Sequence, residues 1–361
     1  MSTVPEFPQR VPTDQTESRL VEIRREAQSR GRVQGLGVRP AGAPFPQASP
    51  QRGYYGIPLL KQPQWTWQVP LYFFVGGAAG SAGVIGAVAD LIGDDYEIAR
   101  KARWLALGGA VASGGLLVWD LGRPSRFLNM LRVFKPQSPM SVGAWILTAF
   151  SNFAAAASFA DLLEARFGRS LPVSVIRGLG RVGSAVFGLP FHNYTGVLIG
   201  ATAIPVWNQK VKVLPRHFGM SGLQAAVSIL ELFGHEDSTA LNILGLISAA
   251  FESWEGLTIE SDRNRALDPL KQGASGWVTR AGGLLSGPLP LALRAFGWRS
   301  PALRRWAAWA GIAGSLLTRY GWVAAGHASA RDWRLSLEIE KSTTDRQPLQ
   351  ERAGERIRAA S

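Results

Sequence analysis

The sequence predicts an all-α integral membrane protein with about eight transmembrane helices, and three observations carry that prediction. Eight apolar stretches recur between residues 68 and 325 of the 361, each close to the roughly 20 residues a helix needs to cross the hydrocarbon of a bilayer. Only 18% of the residues are charged, whereas soluble globular chains carry about a quarter. The charge is crowded into connectors and the two ends, while 13 Trp and 41 Gly accompany the apolar runs.

Taken in order, residues 1–64 are rich in Arg, Gln, Ser, Pro and Gly and contain no apolar core. This arm is expected to be extended or disordered, with one short helix near 16–30. No apolar run of signal-peptide type precedes the first span, so uncleaved insertion is expected. The first span, 68–92, has Gly76, Gly77, Gly80 and Gly83 on a smooth face where another helix can approach closely. Spans two and three cover 104–119 and 141–163. The fourth, 182–207, is expected to break at Pro190 and Pro205. The fifth and sixth cover 218–233 and 240–259. A weaker seventh, 276–296, is interrupted by Pro288 and Pro290 and carries Arg280. The eighth, 306–325, contains Arg319. The transmembrane domain is therefore 65–327, and 328–361 is a charged tail.

The most patterned stretch is the connector from Trp119 to Ser141, pinned between spans two and three. Asp120 and Arg123 fall at the spacing that puts helical side chains on one face. A carboxylate and a guanidinium at a membrane rim are costly unless they meet each other or a ligand. Pro124, Pro136 and Pro139 keep the backbone out of a continuous helix, which makes the connector a polar platform. An even number of spans puts both termini on the platform's side. Lys and Arg there total 26 against 10 opposite, although the short loops alone carry 10 on each side. Both termini and the platform are accordingly expected in the cytoplasm of an inner-membrane protein. The net charge of +13 comes from residues flanking spans, with no basic stripe interleaved with exposed aromatics, so nucleic acid is not the expected partner.

There is no Cys, which excludes thiolate-held iron–sulfur clusters, disulfides and thiol catalysis from this polypeptide. A bis-histidine haem needs paired imidazoles at matched depth. Of His192, His217, His235 and His327, only His192 falls well inside a predicted span. Haem and a multi-histidine metal site are therefore not expected, and redox chemistry would need a bound, diffusible carrier.

His192, Asn193 and Tyr194 follow Pro190 in span four and cannot all face one way. Helix-to-helix hydrogen bonding is the plain explanation. An imidazole beside a phenol also suits a quinone, offering donors for two carbonyls and a group that passes protons near neutral pH. Asp90, Glu231, Glu252 and Glu255 are candidates for a proton path or for pairing with Arg319, and the last two acids share a face at i and i+3. For Asp90, snorkelling to the interface explains the position equally well. Trp65, Trp67 and Tyr72 read mainly as an interfacial belt, with Gln64 and Gln68 beside them on the platform side. Glu260, Asp262, Arg263 and Arg265 read as a solvated loop.

Three groups of residues carry a likeness to a known family. Asp120-Leu121-Gly122-Arg123-Pro124 with Arg126-Phe127 and Lys135-Pro136-Gln137-Ser138-Pro139-Met140-Ser141, leading to Gly143-Ala144-Trp145, resembles the polysulfide reductase NrfD family of membrane subunits. So do Tyr194-Thr195-Gly196 with Ala203-Ile204-Pro205-Val206-Trp207, and Arg319-Tyr320-Gly321 with Ala325-Gly326-His327. The resemblance implies a haem-free subunit of eight helices in two four-helix bundles that binds quinone or quinol, menaquinone or ubiquinone. It also implies docking of a ferredoxin-like 4Fe-4S subunit wired to a molybdopterin catalytic subunit. The family's quinone site maps onto Tyr194 and the neighbourhood of Gln68 and Tyr72, with His192, Asp120 and Arg123 as further candidates. Arg126, Arg132 and Lys135 would hold the platform and an acidic partner surface. Where the family offers a His or Asn ahead of span one, this chain has Trp67, Gln68 and Tyr72. Two rivals differ in kind: a secondary transporter, which would show two matching halves, and a purely structural anchor, which needs no buried His–Tyr pair.

Overall fold

In a computed structural model the described residues are 18, 21, 22, 25, 26, 60–93, 96–121, 125, 127–332 and 335. Contacts divide the chain into residues 1–59 and 60–361. In the first unit Ser18, Val21, Glu22, Arg25 and Glu26 are helical and exposed, within the stretch where a short helix is expected.

The second unit is helical throughout, with no strand among its described residues. Its elements are α1 Gln68–Ile92, α2 Tyr96–Asp120, the single turn α3 Phe127–Met130 and α4 Pro139–Phe167. Next come α5 Leu171–Gly200, the short α6 Pro205–Gln209 and α7 Leu214–Leu230, which ends in a wide π turn at Glu231–His235. The rest are α8 Thr239–Ser261, the turn α9 Asp268–Lys271, α10 Gly273–Ser286, α11 Pro288–Phe296 and α12 Pro301–Arg331. By length and composition α1, α2 and α4 are long and apolar enough to cross a membrane. Large apolar side chains such as Phe159, Leu179, Trp254, Trp277, Phe296 and Trp306 point outward. A soluble monomer rarely shows so much apolar surface.

Local chemistry explains most helix ends. Ser138 caps α4 by accepting from the Ser141 N–H, and Pro139 occupies the first turn, where its missing N–H costs nothing. Ser238 and Ser300 cap α8 and α12 in the same way. Gly93 closes α1 at φ 78°, a left-handed geometry that glycine adopts without a Cβ penalty.

α1 lies at the centre, packed on α2, α5, α7 and α12, because its small residues let backbones touch. A Cβ on Gly80 would sit 2.7 Å from the Gly188 oxygen, and one on Gly188 would sit 2.7 Å from the Gly80 oxygen. Neighbours alternate in direction. Arg103 near the start of α2 reaches Asp90 at the end of α1 and Asp161 near the end of α4. Ser315 of α12 bonds to the Ser221 carbonyl while Arg319 bonds to that of Phe218, so α12 runs against α7.

Several boundaries depart from expectation. α5 begins eleven residues before the expected start at 182 and passes through Pro190 unbroken. Pro190 removes the donor for the Val186 carbonyl, a loss that a helix inside a packed bundle tolerates; the His192 and Asn193 side chains turn back onto other carbonyls, those of Gly188 and Leu189. The break before Pro205 is present, with residues 201–204 non-helical. The seventh expected span is two helices, α10 and α11, separated at Gly287. α12 continues past the expected tail boundary at 328, to Arg331.

Candidate functional site

The end of the connector that leads into α4 is held by short-range bonds. The Lys135 N–H donates to Ser141 Oγ at 3.0 Å, Ser141 Oγ donates to the Val133 carbonyl at 3.3 Å, and Phe134 meets Trp145 edge-on at 6.2 Å. Arg132 and Lys135 are exposed, as a docking surface requires. Arg123 and Arg126 lie outside the described residues.

Next to this connector, the start of α1 and the end of α2 form a polar rim. The Thr66 hydroxyl bonds to the Gln68 side-chain oxygen and lies 3.3 Å from Asp120 Oδ1. Trp67, half exposed, meets Trp119 edge-on at 5.6 Å, and its carbonyl accepts from the Tyr320 hydroxyl at 3.0 Å. Trp65, half-buried, stacks at 5.0 Å on Trp207, which is fully buried and donates to the Trp322 carbonyl.

One turn further along the same face of α1 is Tyr72, buried and near enough to Tyr194 for the two phenols to interact electrostatically. Tyr194 lies over Gly143 of α4, whose Cβ, if present, would fall 2.3 Å from the ring. The Tyr194 hydroxyl is buried, its oxygen approached by the Gly143 backbone and its proton given to no acceptor among the described residues. A buried donor without an acceptor costs about 1–3 kcal/mol, so this group is open to an additional acceptor.

His192 does not join Tyr194. Two residues apart on a helix means about 200° of rotation, so Tyr194 faces α4 while His192 and Asn193 face Gly219 of α7. His192 instead lies within electrostatic reach of Arg319. That arginine is fully buried, donates to the Phe218 carbonyl at 2.7 Å and rests over the Phe218 ring at 4.7 Å. Its Nε and Nη1 have no partner among the described residues.

The candidate acids are dispersed. Asp90 pairs with Arg103, which also holds Asp161 through bonds of 2.7 and 3.0 Å. Glu231 is not a partner of Arg319: it forms a bidentate pair with Arg294 at 2.5 and 2.7 Å, both side chains fully buried. Gly245 makes room for that guanidinium, since a Cβ there would fall 2.4 Å from its central carbon. Glu255 is buried within reach of the Lys210 and Arg216 charges. Of the residues expected in a solvated loop after α8, Glu260, Arg263 and Arg265 are exposed and Asp262 is half-buried. Partial burial works against ionisation of Asp262, but the Asn264 N–H and the Lys210 ammonium, 3.0 Å away, outweigh it and hold the carboxyl below its usual range.

Glu252 belongs to a cluster that includes a residue the sequence reading passed over. His217, expected at a span end, is buried inside α7 because that helix starts four residues before the predicted Phe218. Its Nε2 accepts from the Trp322 indole N–H at 3.1 Å, and its Nδ1 lies 3.4 Å from Glu252 Oε1. The second Glu252 oxygen accepts from the Ser286 hydroxyl at 3.1 Å. A usable sequence signal was present: Leu214-Pro215 is a helix start, and it puts His217 in the first turn. Among the described residues no group of three or more His, Cys, Asp or Glu could hold a metal ion.

Fold and rim together define a helical integral membrane protein with a polar rim at one end of its central helix. The description of polysulphide reductase, NrfD, matches residues 60–249, more than half the chain. The chain belongs to that family, whose members are membrane subunits of oxidoreductase complexes. Comparison with the curated proteins finds none that matches.

Proposed function

We propose that this chain is the haem-free, quinone-reactive anchor of a multisubunit oxidoreductase, crossing the inner membrane eight times as two four-helix bundles with both termini in the cytoplasm. The observation that carries the reading is the buried Tyr194 hydroxyl, its proton without an acceptor among the described residues, beside Tyr72 and beneath the Thr66, Gln68 and Asp120 rim, in a member of the NrfD family. Quinone supplies two-electron, two-proton chemistry when bound. Tyr194 and Tyr72 suit its carbonyls as hydroxyl donors, and Gln68 offers an amide from the same face of α1 as Tyr72. Asp120, half-buried at the rim and held by Thr66, is placed to exchange protons with the aqueous side.

Electrons would reach this site from a ferredoxin-like 4Fe-4S subunit serving a molybdopterin catalytic subunit. Arg132 and Lys135 on the exposed connector would meet the acidic surface of the iron–sulfur protein. Asp90 and Glu231, each tied to an arginine, act in this reading as ion-pair staples.

The test is Tyr194→Phe in the purified complex. Losing a hydrogen bond made in the reacting complex, worth about 1.5–3 kcal/mol when charge develops, lowers quinone-linked turnover by about ten- to a hundredfold. Dye-linked turnover at the catalytic subunit and co-purification of partners should be unchanged. Unaltered quinone-linked turnover would leave a structural anchor as the role of this chain.

A further inference from the structure

Away from the Tyr194 region, a cavity of about 290 Å³ opens between α8, α10 and α12, close to the small end of ligand pockets, about 300 Å³. Most of its lining lies beyond residue 249, outside the segment matched to the family. The walls are apolar, and the outer edge is formed by Leu257 and Leu284, 71% and 61% exposed. Glu260 and Arg280 pair across the rim at 2.7 and 2.8 Å. In the eight-span arrangement proposed above, the apolar edge at Leu257 and Leu284 faces the bilayer, and access is from there.

The inner end is polar and incompletely bonded. His217 Nδ1, Glu252 Oε1 and Thr318 Oγ1 are all buried without a hydrogen-bond partner among the described residues, and all three residues line the cavity. The His217 and Glu252 side chains are 7% and 1% exposed. The imidazole's state follows from geometry. Trp322 Nε1 can only donate, so His217 Nε2 must accept, which leaves the ring neutral with its proton on Nδ1. The cavity thus ends in one N–H donor and one carboxyl acceptor 3.4 Å apart and not bonded to each other. A single hydroxyl, which donates once and accepts through its lone pairs, satisfies both.

We propose that this cavity is a second ligand site, taking a lipid-soluble aromatic alcohol whose hydroxyl bridges His217 Nδ1 and Glu252 Oε1 while its ring lies between Leu257 and Leu284. A phenol fits better than an acyl chain because hydrocarbon would leave the buried donor and acceptor unbonded, at about 1–3 kcal/mol each. The site is independent of the Tyr194 reading and would stand if that reading failed.

The experiment uses the full-length chain in lipid nanodiscs with a diazirine-bearing naphthol, adducts being mapped by peptide mass spectrometry. Adducts are expected on segments 256–260 and 279–284. The matched naphthalene probe without the hydroxyl should give about tenfold fewer, the equivalent of about 1.4 kcal/mol. Gly256 and Gly283 line the cavity, and a Cβ on either meets nothing within 4 Å. Replacing both (Gly256→Leu with Gly283→Leu) should fill the space and abolish labelling there, while Tyr194→Phe leaves it unchanged. Equal labelling by the hydroxyl-free probe would overturn the proposal in favour of a lipid chain, and absence of adducts from these segments would overturn it outright. Should the filled variant misfold, the comparison of the two probes still decides.

Discussion

The pairing of Glu231 with Arg294 offers a direct test of whether an intramembrane acid moves protons or holds helices. Both side chains are fully buried, joined by bonds of 2.5 and 2.7 Å, and they tie the end of α7 to α11. At an effective dielectric of about 20 and a charge separation of about 4 Å the attraction is roughly 4 kcal/mol. Removing one member strands the other in a dry site, which costs about 3–5 kcal/mol. Arg294→Met is therefore expected to destabilise by about that amount, and Glu231→Leu somewhat less, because the free guanidinium can turn toward carbonyls. The double variant should recover most of the loss, since apolar side chains of similar volume replace buried pairs at little net cost. The measurement is the unfolding midpoint of each variant in mixed micelles, combined as a double-mutant cycle, with quinone-linked turnover of the assembled complex read in parallel. A double variant that is stable and still turns over identifies a staple. If the double variant were as unstable as Arg294→Met, the pair would not account for the cost. A stable double variant without turnover would make Glu231 a functional acid and refute the assignment.

Other predictions rest on separate contacts. Gly80→Ala places a methyl only 2.7 Å from the Gly188 oxygen; overpacking of about 1–3 kcal/mol should appear as a lowered melting temperature, and an unchanged melt would mean α1 and α5 are not in close contact. Arg103→Gln leaves Asp90 and Asp161 facing each other without a cation, so membrane accumulation should fall and be partly rescued by adding Asp161→Asn. Charge reversal at the exposed connector, Arg132→Glu with Lys135→Glu, should weaken co-purification of the proposed iron–sulfur subunit, most strongly at low ionic strength and less as salt screens the charges, with no change in melting of the isolated chain. Retained partners at all salt concentrations would place docking elsewhere.

Much of the architecture was legible because a membrane leaves few choices. Backbone groups in hydrocarbon must bond within their own helix, so an apolar run bounded by Gly or Pro states its own structure, and α1 begins and ends at the expected residues. Gly76 to Gly83 correctly announced a close-packed face for the same reason. Prolines were harder to read, since Pro190 and Pro205 look alike in sequence. Only the packing around α5 separates a proline carried within a helix from one that starts a new helix.

The site divides along the same line. Composition alone removed thiolate chemistry, and the residue pattern of the connector identified the family. Pairing in space was beyond the sequence, because a buried charge takes whichever partner the fold brings near and chain order does not record it. Glu231 meets Arg294, 63 residues on, and leaves Arg319 without a carboxylate in bonding range among the described residues. Helical rotation separates His192 from Tyr194 despite their adjacency. His217, near a helix start in sequence, becomes the polar end of a cavity because α8 and α12 close over it with Glu252 and Trp322. The sequence by itself determined an apolar helical protein with a polar connector, and the packing angles of its helices decided which polar groups meet.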